Sequence, residues 1–93
     1  MAIRLIINFK ANPGEGSNLV AAFSPVMEEV RNEKGCNQYH LFQGTEDTDT
    51  FILAESWTDQ ESLDAHSAAN RARDFSLADY LAGPTQAERY EID

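Results

Sequence analysis

Two segments of alternating apolar residues constrain this chain more than anything else in it. Residues 2–10 place Ile3, Leu5, Ile7 and Phe9 on one side of a strand and Arg4, Ile6, Asn8 and Lys10 on the other. Residues 50–57 place Phe51, Leu53, Glu55 and Trp57 on one side and Ile52, Ala54 and Ser56 on the other. Neither strand is apolar on one side only, so a sheet built from them must be covered on both faces.

The segments between supply the cover. Asn12-Pro13-Gly14-Glu15-Gly16 ends the first strand. Ser17 is then the expected N-cap of a helix running to about Glu33. Leu19, Phe23, Val26 and Val30 recur along it at helical spacing, widened by Val20 and Met27. Pro25 falls inside and removes one hydrogen bond, and Gly35 ends the helix. Residues 36–44, with Tyr39, Leu41 and Phe42, read as a second strand. A short polar turn joins it to the third as an antiparallel hairpin.

Thr58-Asp59-Gln60-Glu61 fits a capping box that starts a helix carrying Leu63, His66 and Asn70 on one face. A further helical stretch is expected from Arg73 to Leu81, and residues 85–92, with Ala87, Tyr90 and Ile92, make a last polar strand. The order β-α-β-β-α-(α)-β is the ferredoxin-like α+β arrangement, a four-stranded antiparallel sheet with helices on one face. Residues 1–93 are read as one such domain. The helices cover one face only, so the other is expected to meet a second copy in a two-fold homodimer.

Composition narrows function by exclusion. Sixteen acidic residues against seven basic ones give a net charge of −9. That sign repels phosphate backbones and anionic lipids, so neither nucleic acid nor membrane is an expected partner. The basic residues are scattered, with only Arg71 and Arg73 close together, which argues against a phosphorylated substrate. The start of the chain has no charged, apolar and cleavage regions of an export signal, so a cytoplasmic location is expected. Cys36 is the single cysteine, read as a semi-buried structural thiol, since His40 is too far along a regular strand to activate it. The two histidines, His40 and His66, lack the spacing of a metal site, so no metal is expected. Hydrolase and nucleotide motifs are missing.

Several segments together resemble one family. Glu33-Lys34-Gly35-Cys36 before Tyr39 is similar to the E-x-G-C-x-x-Y segment of antibiotic biosynthesis monooxygenase domains. Phe51 to Trp57 is similar to their third strand with its E-x-W ending. Leu63-Asp64-Ala65-His66 resembles their L-x-x-H, and Phe75 a downstream aromatic. The resemblance implies a dimeric α/β barrel with a pocket between sheet and helices in each subunit. It covers cofactor-independent monooxygenases acting on quinols and phenols, haem-degrading enzymes, and proteins that process a signalling sugar phosphate, so fold alone does not choose among them. The haem-degrading branch uses an Asn on the first strand, a Trp and a His. Aligned through Phe9-Lys10 and Gly14, those positions fall on Ile7, on His66 and near Ser76, which argues against haem degradation.

Under this resemblance the expected reaction is oxidation of a small quinol or phenolic substrate by O2 without a cofactor. His66 is the candidate catalytic residue, because an imidazole can accept a phenolic proton near neutral pH. Its other reading is a histidine that packs the helix against the sheet. Trp57 offers a stacking surface or is the main core aromatic. Phe23, Tyr39, Phe42 and Phe75 either line the pocket or belong to the core, and Asn8 is expected to shape the pocket. Glu55 is either half-buried and paired or at a dimer seam, and Arg4, Arg89 or residues of a second copy could pair with it. A non-catalytic binding protein for a small metabolite, and an isomerase or hydratase of a small oxygenated metabolite, are the alternative functions.

Overall fold

A computed structural model describes all 93 residues. Strand β1 (Ala2–Lys10) leads to helix α1 (Gly16–Arg31), then to the hairpin β2 (Cys36–Gln43) and β3 (Thr50–Trp57). Helix α2 (Gln60–Ala72), a one-turn 3-10 helix at Leu77–Tyr80 and β4 (Gln86–Ile92) complete the chain. All pairs are antiparallel, in the order β2-β3-β1-β4. This is the ferredoxin-like fold expected from the alternation.

Register decides what each face carries. Ile3, Leu5, Ile7 and Phe9 pair with Trp57, Glu55, Leu53 and Phe51, so the odd-numbered positions of both strands share a face. That face packs on Leu19, Phe23, Met27 and Val30 of α1 and Leu63 of α2 to form the core. Burying such side chains stabilises the fold by about 1.5–3 kcal/mol each. The even-numbered face has no helix over it. Phe42, Ile52, Tyr90 and Ile92 all lie there, 41–56% exposed.

A bulge between Cys36 and Gln38 sets the register of β2. Cys36 pairs with Trp57 on the helix side, while His40 pairs with Ala54 on the open side. The two side chains therefore leave opposite faces of the sheet, and His40 is no base for the thiol. Burial, then the neighbouring Glu33 and Glu55 charges, pushes that thiol upward.

Three local expectations are corrected. Helix α1 starts at Gly16, before Ser17, and its first turn is capped from another loop: Asp49 accepts from the Gly16 N–H (2.9 Å) and, through its other oxygen, from that of Gly14 (2.9 Å). Helix α2 is capped by Asp59 rather than Thr58, whose neighbour accepts from the Ser62 N–H at 2.8 Å. Asp and Ser are comparable caps, and the carboxylate adds charge complementarity with the helix dipole. The stretch from Arg73 to Leu81 is helical only at Leu77–Tyr80. Helix α2 ends at Ala72, where Arg73 turns extended (φ −77°, ψ 147°) and its guanidinium bonds Glu33 and Asn70.

Gly35 carries the turn from α1 into β2. Its φ of +81° is left-handed, and a Cβ would lie 2.1 Å from Ser62 Oγ on α2. Only glycine meets both conditions. The turn holds Glu33 against α2, and that contact builds the site.

Candidate functional site

His66 projects from the inner face of α2, one turn beyond Leu63, onto the end of β3. It is 4% exposed. Its ring stacks on the fully buried Trp57 (centroids 4.5 Å apart, 29°) and meets Tyr39 edge-on at 5.5 Å. Both nitrogens are engaged. Nδ1 lies 2.9 Å from Glu33 Oε1, and Nε2 lies 3.0 Å from Asn70 Nδ2.

The partners fix the proton positions. Arg73 Nη1 donates to Asn70 Oδ1 at 2.6 Å, and because a guanidinium only donates, the amide oxygen must face it. Asn70 Nδ2 then donates to His66 Nε2, and Nδ1–H donates to the Glu33 carboxylate. Arg73 Nη2 donates to the other Glu33 oxygen at 2.8 Å, which closes a ring of four side chains. His66 is thus a neutral imidazole with its basic lone pair on Nε2, oriented by a carboxylate behind it.

Glu55 is paired, as the first of the two expectations has it, but with other partners. It is buried on the helix side rather than at a seam, and its partner is neither Arg4 nor Arg89. Trp57 Nε1–H donates to Glu55 Oε1 at 2.9 Å, and the same oxygen stands 4.0 Å from His66 Nε2. Burial pushes the Glu55 carboxyl above its usual range, while the indole N–H acts in the opposite sense. Arg4 instead donates to Gln38, and Arg89 to Gln60 and Glu91. Burial, reinforced by Glu55, likewise pushes the Tyr39 hydroxyl well up, so it is a neutral phenol at physiological pH.

Beside this cluster a cleft of about 280 Å³ opens between α1, β2 and the segment after α2. Phe23, Tyr39 and Phe75 line it, Phe23 and Tyr39 being part of the core as well, and Phe23 and Phe75 stack at 5.5 Å. Asn70, Arg71 and Arg73 supply its polar side. His66 and Trp57 lie one layer behind, and Asn70 both lines the cleft and touches the imidazole.

Two candidates lie elsewhere. Asn8 pairs with Ile52 and Gln86 on the open face and borders a separate concavity of about 540 Å³ with Phe42. Even-numbered β1 residues cannot reach the helix side, so Asn8 and Phe42 do not join the His66 cluster. Sequence reasoning passed over Glu33 and Arg73 as site residues. The spacing of His66 and Asn70 on one helix face, with Arg73 just beyond its end, was a usable signal, but the link to Glu33 spans 33 residues and follows only from the fold. No group of three or more His, Cys, Asp or Glu side chains is placed to hold a metal ion.

Comparison with known proteins bears on this arrangement. The chain is 26% identical over 87 residues to an uncharacterised Synechocystis protein, covering 91% of this chain but only 59% of that protein. It is 24% identical over 85 residues to YcnE of Bacillus subtilis, a proposed monooxygenase, covering 89% of this chain and 90% of YcnE. Among solved structures, a proposed antibiotic biosynthesis monooxygenase from Nitrosomonas europaea superimposes with a TM-score of 0.84 at 21% identity, covering 96% of this chain and 88% of that one. A conserved protein from Methanosarcina mazei gives 0.82 at 23%, covering 100% and 94%. At such identities the structural likeness speaks for the fold. The model of the antibiotic biosynthesis monooxygenase family matches residues 2–76, from β1 to the segment after α2 that closes the cleft. The chain belongs to the antibiotic biosynthesis monooxygenase family.

Proposed function

We propose that the protein is a cofactor-independent monooxygenase that oxidises a small quinol or phenol with O2, using His66 as proton acceptor. The observation that carries this reading is the Glu33–His66–Asn70 chain, which begins at a carboxylate and ends at the cleft wall. A substrate hydroxyl in the cleft takes the place of Asn70 on His66 Nε2, with the Asn70 side chain turned aside. Proton transfer to Nε2 leaves an imidazolium whose Nδ1–H is held by Glu33 and whose new charge faces Glu55. The hydroquinone anion donates one electron to O2. Superoxide and the semiquinone combine, and the peroxide collapses to a hydroxylated quinone and water. One oxygen atom enters the product, the other leaves as water, and the substrate supplies both electrons.

Oxygen uptake with a panel of hydroquinones tests this. His66→Ala is expected to lower uptake about a hundredfold or more, the range for losing a general base. No uptake by the pure protein, or uptake unchanged in the variant, would sink the mechanism.

A second reading has its own support. An imidazole with both nitrogens bonded and its ring stacked on Trp57 is also how a structural histidine looks. A metabolite-binding protein without turnover would use the same cleft, and its ligand would stabilise wild type and His66→Ala equally.

The partner in this reading is a second copy of the chain. Phe42, Ile52, Tyr90 and Ile92 form an apolar patch on the helix-free face, which a two-fold related sheet would cover.

A further inference from the structure

The charge of the cleft is opposite to that of the chain. Sixteen of the residues are acidic, yet no Asp or Glu lines the cleft, while two of the seven basic residues, Arg71 and Arg73, do. Glu33 neutralises Arg73 from behind. Arg71 takes part in none of the ion pairs of the chain. The cleft therefore holds one uncompensated positive charge. Arg73 uses two of its N–H groups on Asn70 and Glu33, so about three of the five on a guanidinium remain to be filled.

The apolar part of the lining is largely aromatic. Phe23 stacks on Phe75, which stacks in turn on Tyr80 (5.7 Å), and Tyr39 closes on Phe23 edge-on at 6.2 Å. The volume, about 280 Å³, suits one or two fused rings.

We infer that the cleft selects an aromatic monocarboxylate, its ring against Phe23 and Phe75 and its carboxylate on Arg71 and the free N–H groups of Arg73. The single net charge favours a monoanion over a dianionic phosphate ester. The fork of a guanidinium fits the two oxygens of a carboxylate. This inference rests on the monooxygenase reading only in naming the substrate there, a carboxylated hydroquinone.

Binding needs no turnover and is measured by titration calorimetry at low salt with 2-naphthoate, its neutral isostere 2-naphthamide, and 2-naphthyl phosphate. The naphthoate is expected to bind about tenfold more tightly than the amide, as a charge-assisted contact allows. Arg71→Gln, an exposed substitution, is expected to abolish that preference while leaving the amide unchanged. An amide that binds as tightly as the acid, no binding of either, or an acid indifferent to Arg71→Gln overturns the inference; a tighter phosphate overturns the carboxylate assignment. Arg71-dependent naphthoate binding without oxygen uptake from any hydroquinone would leave the inference standing and remove the monooxygenase reading. Uptake from neutral hydroquinones without any carboxylate preference would do the reverse.

Discussion

Glu55 sits where desolvation works against its charge: it is buried, and the Trp57 N–H at 2.9 Å offsets that burial only in part. Because burial raises its folded value above the usual 4.5, the native state binds more protons than the unfolded chain between those two values. Stability from this group is present at pH below about 4.5 and falls as pH rises through the folded value. Glu55→Gln keeps an oxygen for the Trp57 N–H and removes the charge. The variant is expected to match wild type near pH 4 and to melt higher at pH 7, read by thermal unfolding at both values. A variant that melts lower at pH 7 would mean that the Glu55 charge is held by its surroundings rather than opposed. The residue thus sharpens one role: a carboxyl inclined to stay protonated takes on charge most readily when a proton arrives on His66.

Among the elements, Gly35 joins fold and site most directly. Its left-handed turn brings Glu33 onto His66, and its missing Cβ admits Ser62 of α2. Gly35→Ala is expected to destabilise the protein by about 1–3 kcal/mol from backbone conformation and crowding together. Urea denaturation reads the loss, and a value near zero would show that α2 moves aside freely. What could be read from the residues alone divides at this level. The four strands, the helices over one face and the facing of Phe51, Leu53, Glu55 and Trp57 all follow from period-2 and period-3.6 patterns, which are local. Asp49 capping α1 and Glu33 bonding His66 are contacts 33 residues apart, and no local pattern encodes them. The segment from Arg73 to Leu81 carried apolar spacing compatible with a helix, but only Leu77–Tyr80 is helical, after Arg73 turns extended and bonds Glu33. Asn8 was expected at the pocket, and only the register assigns it to the open face.

At the scale of the whole molecule, the question is what covers the open sheet. All seven residues of β4 are exposed, and four large apolar side chains stand on one face of a domain of 93 residues. Chains this small bury only about 60–65% of the surface their unfolded forms expose, so additional burial weighs heavily. Light scattering at micromolar concentration is expected to give twice the chain mass of 10.4 kDa, and Ile52→Lys, which puts a charge at the centre of the patch, to return it to the chain mass. A monomer in wild type would overturn the dimer. No helix is long and apolar enough to cross a membrane.

The bulge in β2 has a consequence for how this sequence can drift. Between Cys36 and Gln38 the strand holds one residue more than its partner, so Asn37 has no opposite number in β3. Deleting Asn37 would straighten the ladder without turning any other side chain over. Deleting any residue from Tyr39 to Leu41 would carry the rest of the strand to the wrong face. Length variation among descendants of this chain should therefore collect at Asn37 and stay out of the strand that walls the cleft.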